Sequence, residues 1–255
     1  MKILLIAGHG GTPYDSGAVG CGYTEAVETR RMAMAVAPKL KKYGFSVEIY
    51  DQSRDAYKVV TQGGSLPLSG VSYVIEFHLN SAANDRKGNG RTTGSEIFVH
   101  PSEDGVGVEQ AILKRLSALG FTNRGVKRNS SFAVLRHVKR RGVSHALIET
   151  CFVDDADDMK LYKMRFHDIA HAIADGVAEG FGREVDEMSY EQFCAFMARY
   201  EKERAAKSPS AWAAGAWQAA QDAGITDGIS PQGAMTREMC VMMLQRCGLV
   251  GRKER

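Results

Sequence analysis

Residues 3–7 are Ile-Leu-Leu-Ile-Ala, and Gly8, His9, Gly10 and Gly11 follow them without a break. An uninterrupted apolar run of this length reads as a strand covered on both faces, the kind found in parallel sheets flanked by helices. The glycines let the chain turn sharply where the strand ends and bring its backbone close to a ligand. His9 is thereby set at a strand's carboxyl end, where open α/β sheets gather their ligand sites.

The chain keeps that rhythm as far as residue 150. Val47-Glu48-Ile49-Tyr50 alternates as a second strand, Tyr73 to Phe77 forms a third that runs into His78-Leu79-Asn80-Ser81, and Gly94 to His100 forms a fourth. Ala146-Leu147-Ile148 is a last strand and delivers Glu149. Between strands, Thr24 can cap a helix from Glu25 toward Lys42, kinked at Pro38 and closed by Gly44. Val106 to Leu119 reads as a helix with apolar positions at 108, 112, 116 and 119. This alternation predicts an α/β domain.

At 255 residues and 44% hydrophobic content, the chain holds one generous domain plus a small appendage and needs no covalent staples. Its five cysteines, at 21, 151, 194, 240 and 247, suggest neither a disulfide framework nor a four-cysteine zinc site. A net charge of +3 is too small to imply nucleic-acid binding. The apolar start is shorter than a signal-peptide core, and no run reaches transmembrane length. The expectation is a chain made in the cytoplasm without a signal peptide and without membrane insertion.

Three strand ends and one helix start thus offer His9, His78, Glu149 and Glu25. Two imidazoles and one carboxylate are the ligand set of many catalytic zinc sites, which keep a fourth position for water. A second carboxylate outside the metal shell is what such a site uses as general base and then acid. The inventory fits metal-assisted hydrolysis, although spacing alone does not bring the four together.

Six segments, in order, carry a resemblance: Gly8-His9-Gly10-Gly11, Asp15-Ser16-Gly17-Ala18, Gly22 to Glu25, Phe77 to Ser81, Gly94-Ser95-Glu96, and Ala146 to Phe152. Over residues 1–182 the chain resembles the zinc-dependent N-acetylmuramoyl-L-alanine amidases known as amidase type 3, which include bacterial cell-wall amidases and phage endolysins. The resemblance implies a twisted, mostly parallel sheet with helices on both faces. It also implies one zinc ion held by His9, Glu25 and His78, with Glu149 as catalytic acid/base and Asn80 near the metal or the substrate. The substrate would be bacterial peptidoglycan, cut between N-acetylmuramic acid and L-alanine. A zinc peptidase acting within the stem peptide and a non-catalytic wall-binding protein are the rival readings.

Two departures from the family pattern stand out. Ile6-Ala7 replace the usual Asp-Pro, removing a carboxylate expected to steady the first histidine, and His145 stands where proline is common. Residues 81–94 are too short and too rich in glycine and asparagine for the autoinhibitory helix of some cell-division amidases, which favours a phage lysin that reaches the wall after holin-type release. His167-Asp168-Ile169-Ala170-His171 resembles a metalloprotease helix motif, but the apolar stripe through Phe166, Ile169 and Ile173 leaves both histidines on the surface. Arg124 to His145 contains no acidic residue, and Arg124 and Lys127 in it are candidate substrate contacts on a loop facing the substrate. A nucleic-acid role is disfavoured, since only Phe132 is available there for stacking.

After Gly182 the character changes. Residues 183–189 read as a polar linker, and residues 190–255 as a small all-α C-terminal domain with helices from Tyr190 to about Ala206, Ala211 to Ala223 and Thr236 to Cys247. Phe193, Phe196, Met197, Trp212, Trp217, Met242 and Leu244 are its expected core. Trp212, Trp217, Ala220, Gly224-Ile225, Gly228, Pro231 and Thr236-Arg237 resemble a surface-layer-homology repeat. That resemblance implies a module binding secondary wall polysaccharide, and a second copy of the chain is the alternative partner.

Overall fold

The structure, a computed structural model, describes residues 1–11, 15–185 and 190–250. Residues 186–189 of the expected linker and 251–255 of the expected C-terminal domain lie outside the described residues. The chain divides into two compact units, Met1–Val185 and Asp186–Arg255.

The first unit runs β1 (Lys2–Ala7), β2 (Val19–Gly20), β3 (Tyr23–Thr24), α1 (Glu25–Lys42), β4 (Ser46–Ile49), α2 (Ala56–Thr61), β5 (Val71–Asn80), β6 (Ser95–Val99), α3 (Gly107–Ala118), β7 (Asn123–Arg128), α4 (Ala133–Lys139), β8 (Ser144–Phe152) and α5 (Ala156–Gly180). Its sheet has the order β4-β1-β5-β8-β6-β7. The first four strands are mutually parallel, β6 and β7 are parallel to each other, and β6 meets β8 antiparallel. This is the α/β architecture expected from the alternation of strands and helices. The one antiparallel seam has a chemical consequence, because it sets the start of β6 beside the end of β8, with Glu96 opposite Glu149.

Side chains alternate across the strands and fill two cores. Ile3 and Leu5 pack with Ile75, Phe77, Ile148 and the inner faces of α1, α3 and α5. Leu4 and Ile6 turn the other way, toward Val74, Ala56 of α2, and Val134 and Val138 of α4. All four β1 side chains are fully buried, each worth about 1.5–3 kcal/mol of transfer free energy. The uninterrupted apolar run of β1 follows from this two-sided cover.

Helix α1 starts at Glu25 as the sequence indicates, but Thr24 makes no side-chain cap. The amides of Glu25 and Ala26 donate instead to the carbonyls of Ala18 and Ser16, which ties the preceding loop to the helix entrance. The helix continues through Pro38 to Lys42. Helix α5 is capped by Asp155, whose side chain accepts from the amides of Asp157 and Asp158. Residues 123–128 form the edge strand β7, paired with β6, not the substrate-facing loop expected to carry Arg124 and Lys127.

The second unit contributes α6 (Tyr190–Ala205), α7 (Ala214–Asp222) and α8 (Arg237–Arg246), close to the three expected helices. The expected core does not form: no described residue from Phe193 to Val250 is buried. Helices of 16, 9 and 10 residues are too few and too short to cover their own apolar faces. Among the described residues, no helix is long and apolar enough to cross a membrane.

Candidate active site

His9, Glu25 and His78 come together from three elements. His9 follows β1, Glu25 opens α1 and His78 lies near the end of β5. Glu25 is buried, and its Oε1 lies 3.1 Å from His9 Nε2 and 2.8 Å from His78 Nδ1 and accepts from the Leu79 amide at 3.1 Å. Its other oxygen accepts from the Ala18 amide at 2.8 Å. One ligand atom from each of the three residues falls within 4.8 Å of the others, the span of a single cation's coordination shell.

Two glycines make this approach possible. A Cβ on Gly8 would lie 2.4–2.7 Å from the His78 ring. At Gly17, with φ +64°, a Cβ would meet the His9 ring at 2.5 Å and Glu25 Oε2 at 2.7 Å. His9 itself has φ +66°, a left-handed conformation that is uncommon outside glycine and that turns its ring back over the sheet edge.

Each histidine has a further carboxylate behind it. His9 Nδ1 lies 3.0 Å from Asp15 Oδ2, so the steadying carboxylate expected to be missing is supplied from the following loop. His78 Nε2 lies 3.3 Å from Glu76 Oε1, and the other Glu76 oxygen stands 3.2 Å from the buried His145 Nε2. Such outer partners fix the orientation of a ligating imidazole and raise its basicity. Glu76 was legible in principle, since two positions along a strand return to the same face. Asp15 reaches His9 only because the loop after β1 folds back, and the His145 contact depends on the pairing of β5 with β8.

Charge follows this layout. Burial pulls the His78 imidazole down, but Glu25 and Glu76 outweigh it and its pKa lies well above the usual value. His9 is raised in the same way, by Glu25 and Asp15 against burial. Burial works against Glu25 as an anion, yet the two imidazoles hold its carboxyl far below the usual range. Glu76 is lowered to about 2 by His145 and His78, also against burial. Without a metal the group therefore holds itself together by sharing protons, and a cation binding there must displace them.

Glu149 faces the same cleft from the end of β8. The cleft has a volume of about 430 Å³ and is walled on one side by Tyr57 of α2 and by Phe132 and Val134 at the start of α4. Glu149 Oε2 is shut from solvent and has no hydrogen-bond partner among the described residues. Burial, with the nearby Glu25, Glu96 and Glu76 charges, raises its carboxyl from 4.5 to about 7. A carboxyl balanced near neutrality in such a cleft is suited to exchanging a proton with a bound molecule.

Asn80 lines the cleft and donates to Glu96 Oε1 at 2.8 Å. Arg124 Nε reaches the other Glu96 oxygen at 2.6 Å, and Lys127 pairs with that oxygen too. Both cations are thus engaged by a buried carboxylate beside the cleft wall. Most of the remaining basic run is tied down: Arg128 and Arg136 donate to backbone carbonyls, and Lys139 pairs with Glu103. His167 and His171 are exposed on α5, as its apolar stripe indicates. A second set of metal-capable groups, Asp85, Asp155 and Asp157, has no imidazole. Asp155 and Asp157 already accept from backbone amides of residues 89–93.

A chain built this way is an α/β protein whose candidate site lies at the carboxyl edge of the parallel strands. It belongs to the N-acetylmuramoyl-L-alanine amidase family, Amidase_3, whose profile matches residues 3–179. CPE1502, an uncharacterized protein of Clostridium perfringens, is 26% identical over 193 residues, or 73% of this chain and 53% of that protein. The chain therefore spans about half the length of that relative. The catalytic domain of CwlV, an N-acetylmuramoyl-L-alanine amidase from Bacillus (Paenibacillus) polymyxa var. colistinus, shares 25% identity and a TM-score of 0.55, over 72% of this chain and 100% of that one. The catalytic domain of the CD27L endolysin targeting Clostridia Difficile has the same fold, with a TM-score of 0.55 at 24% identity over 73% and 99%.

Proposed function

We propose that this protein is a zinc-dependent N-acetylmuramoyl-L-alanine amidase that cuts peptidoglycan between N-acetylmuramic acid and L-alanine. The observation that carries the reading is that Glu149 lines the same cleft as the His9, Glu25 and His78 group. The donor set of two imidazoles and one carboxylate suits zinc, and the carboxylates behind both histidines fit it for that ion. When bound there, zinc supplies a Lewis acid for the scissile carbonyl and lowers the pKa of a water molecule toward roughly 7.

The Glu149 carboxyl takes the proton from the attacking water and delivers it to the alanine nitrogen as the amide bond breaks. Asp15 and Glu76 hold the two imidazoles in place while this happens. The α2 and α4 wall, with Tyr57 and Phe132, gives the sugar-peptide junction an apolar side to lie against. Asn80, carried on Glu96, points a polar group at the same junction, while Arg124 and Lys127 stay half-exposed for a stem-peptide carboxylate.

The biological role that fits best is a phage endolysin. The segment between β5 and β6, residues 81–94, holds no helix to cover the cleft, and the CD27L catalytic domain shares the fold. In this role the chain is made in the cytoplasm and reaches the wall through membrane lesions opened by another protein. The resemblance of the C-terminal segment to a surface-layer-homology repeat supports secondary wall polysaccharide as one partner for it.

The deciding experiment is digestion of purified peptidoglycan with and without a zinc chelator, scoring new amino-terminal alanine against new reducing sugar ends. Chelator-sensitive release of alanine amines without reducing ends is expected. Release of another amine terminus would make the protein a peptidase, and no release from several wall types would leave it a binding protein.

A further inference from the structure

We propose that Arg30 is a positioning residue for the site, its guanidinium locking the backbone of His9 so that the imidazole stands against Glu25, ready to share a cation with it. This rests on the reading of His9, Glu25 and His78 as a metal site. The starting point is strain. His9 is left-handed at φ +66° although it carries a full side chain, and a backbone in that region persists only where its surroundings over-determine it. Gly8 is secured on both sides, its amide donating to the Phe77 carbonyl and its carbonyl accepting from the buried Thr29 hydroxyl at 3.0 Å. Neither contact fixes the His9 carbonyl.

Arg30 reaches it. From α1, Nη2 donates to the His9 carbonyl at 3.0 Å, Nη1 to the Ala26 carbonyl at 2.7 Å and Nε to the Gln52 carbonyl at 3.0 Å. The Gln52 side chain donates back to the Arg30 carbonyl at 3.4 Å. One planar group thus ties the residue after β1 to the first turn of α1, beside Glu25, and to the connection after β4. Three carbonyls in three directions match the rigid fork of a guanidinium, whereas an ammonium is a point donor on a flexible stem and cannot span them. Arg30 lies outside the cleft lining, so it acts through His9 and not on a bound molecule. With the His9 and Ala26 carbonyls on one guanidinium, the 3.1 Å spacing of His9 Nε2 and Glu25 Oε1 is set by the chain itself. The same hold keeps the His9 ring edge to face with that of His78, their centroids 5.1 Å apart.

Arg30→Lys keeps the charge and the aliphatic stem and loses the fork. Ile173→Ala, in the core packed by α1, α3 and α5 and away from the cleft lining, is the control for lost stability. Zinc affinity is measured by chelator competition, and cobalt(II) is substituted so that its visible spectrum reports the ligand set. Arg30→Lys should bind zinc about 10–100-fold more weakly and lose the intensity of a four-coordinate cobalt spectrum, while Ile173→Ala keeps both at wild-type values. Methylguanidinium added to Arg30→Ala should recover zinc affinity, and methylammonium should not. In the metal-free protein, the nuclear Overhauser effect between the His9 and His78 rings should be present in wild type and lost in Arg30→Lys. Wild-type zinc affinity in Arg30→Lys would overturn the proposal, as would an equal loss in Ile173→Ala or a ring-to-ring effect that survives the substitution. That effect needs neither metal nor substrate. A wild type that shows it, loses it with Arg30→Lys and yet binds no zinc would defeat the metal-site reading and leave the role of Arg30 standing.

Discussion

At the scale of single residues, the site is a set of proton-sharing pairs, with Glu25 between His9 and His78 and Asp15 and Glu76 behind them. Replacing Glu149 with Gln keeps its size and removes the proton acceptor. Hydrolysis should fall about 10²–10⁴-fold while zinc affinity, measured by chelator competition, stays within a few-fold of wild type. Asp15→Asn removes the carboxylate behind His9 and should weaken zinc about 10–100-fold in the same assay; unchanged affinity would leave Asp15 a loop contact only. Glu149 also ties stability to pH in the metal-free protein. Its folded pKa is raised from 4.5 to about 7, so the relative stabilisation is fully present below 4.5 and is lost as pH rises through about 7. That shift corresponds to about 3 kcal/mol. Urea unfolding of chelated wild type and Glu149→Gln should therefore diverge between pH 5 and 8, the wild type becoming the less stable.

At the scale of elements, the short connections fix the site more than the strands do. The loop ahead of α1 is bound by its own carbonyls to the helix entrance, and Gly17 in it lies against His9 and Glu25. Gly17→Ala has no room for its methyl group. It should cost about 1–3 kcal/mol in thermal unfolding and lower zinc affinity, with the sheet's far-ultraviolet signature retained. The connection between β5 and β6 is held by four aspartates around the start of α5. Asp154 accepts from the amides of Ala82, Ala83 and Asn84, Asp155 from Thr93, Asp157 from Asn89 and Gly90, and Asp158 from Gly94. Asp155 also caps α5 and is fully buried. Asp155→Ala should lower stability by about 2–4 kcal/mol and open residues 84–92 to limited proteolysis; proteolysis as slow as in wild type would show that Asp154 and Asp157 suffice.

At the scale of the whole molecule, a unit with two full cores is joined to a segment whose described residues from Phe193 onward include no buried one. The first is self-sufficient, since both faces of its sheet are covered by its own helices. A chain ending at residue 185 should accordingly fold and hydrolyse soluble muramyl peptides at wild-type rate. Lysis of intact walls is the property expected to drop, because a wall-binding segment on the same chain raises the effective concentration of the site at its substrate. Equal lysis by the shortened chain would confine the C-terminal helices to a role outside wall digestion.

The amino-acid sequence by itself determined the α/β layout and the site's chemical inventory. The apolar run of residues 3–7 leaves only a strand buried on both sides, and the ends of three strands carry His9, His78 and Glu149 because local periodicity fixes where strands stop. Only the tertiary structure decided which groups stand behind the ligands. Asp15 behind His9 depends on how a loop folds back, and His145 behind Glu76 depends on strand register. The antiparallel seam that sets Glu96 beside Glu149, and engages Arg124 and Lys127, is likewise absent from any local pattern. For the C-terminal helices, the sequence marked their positions to within a few residues through caps and breaks. Whether their apolar faces meet is a matter of how much surface three short helices can cover, and here they leave it exposed.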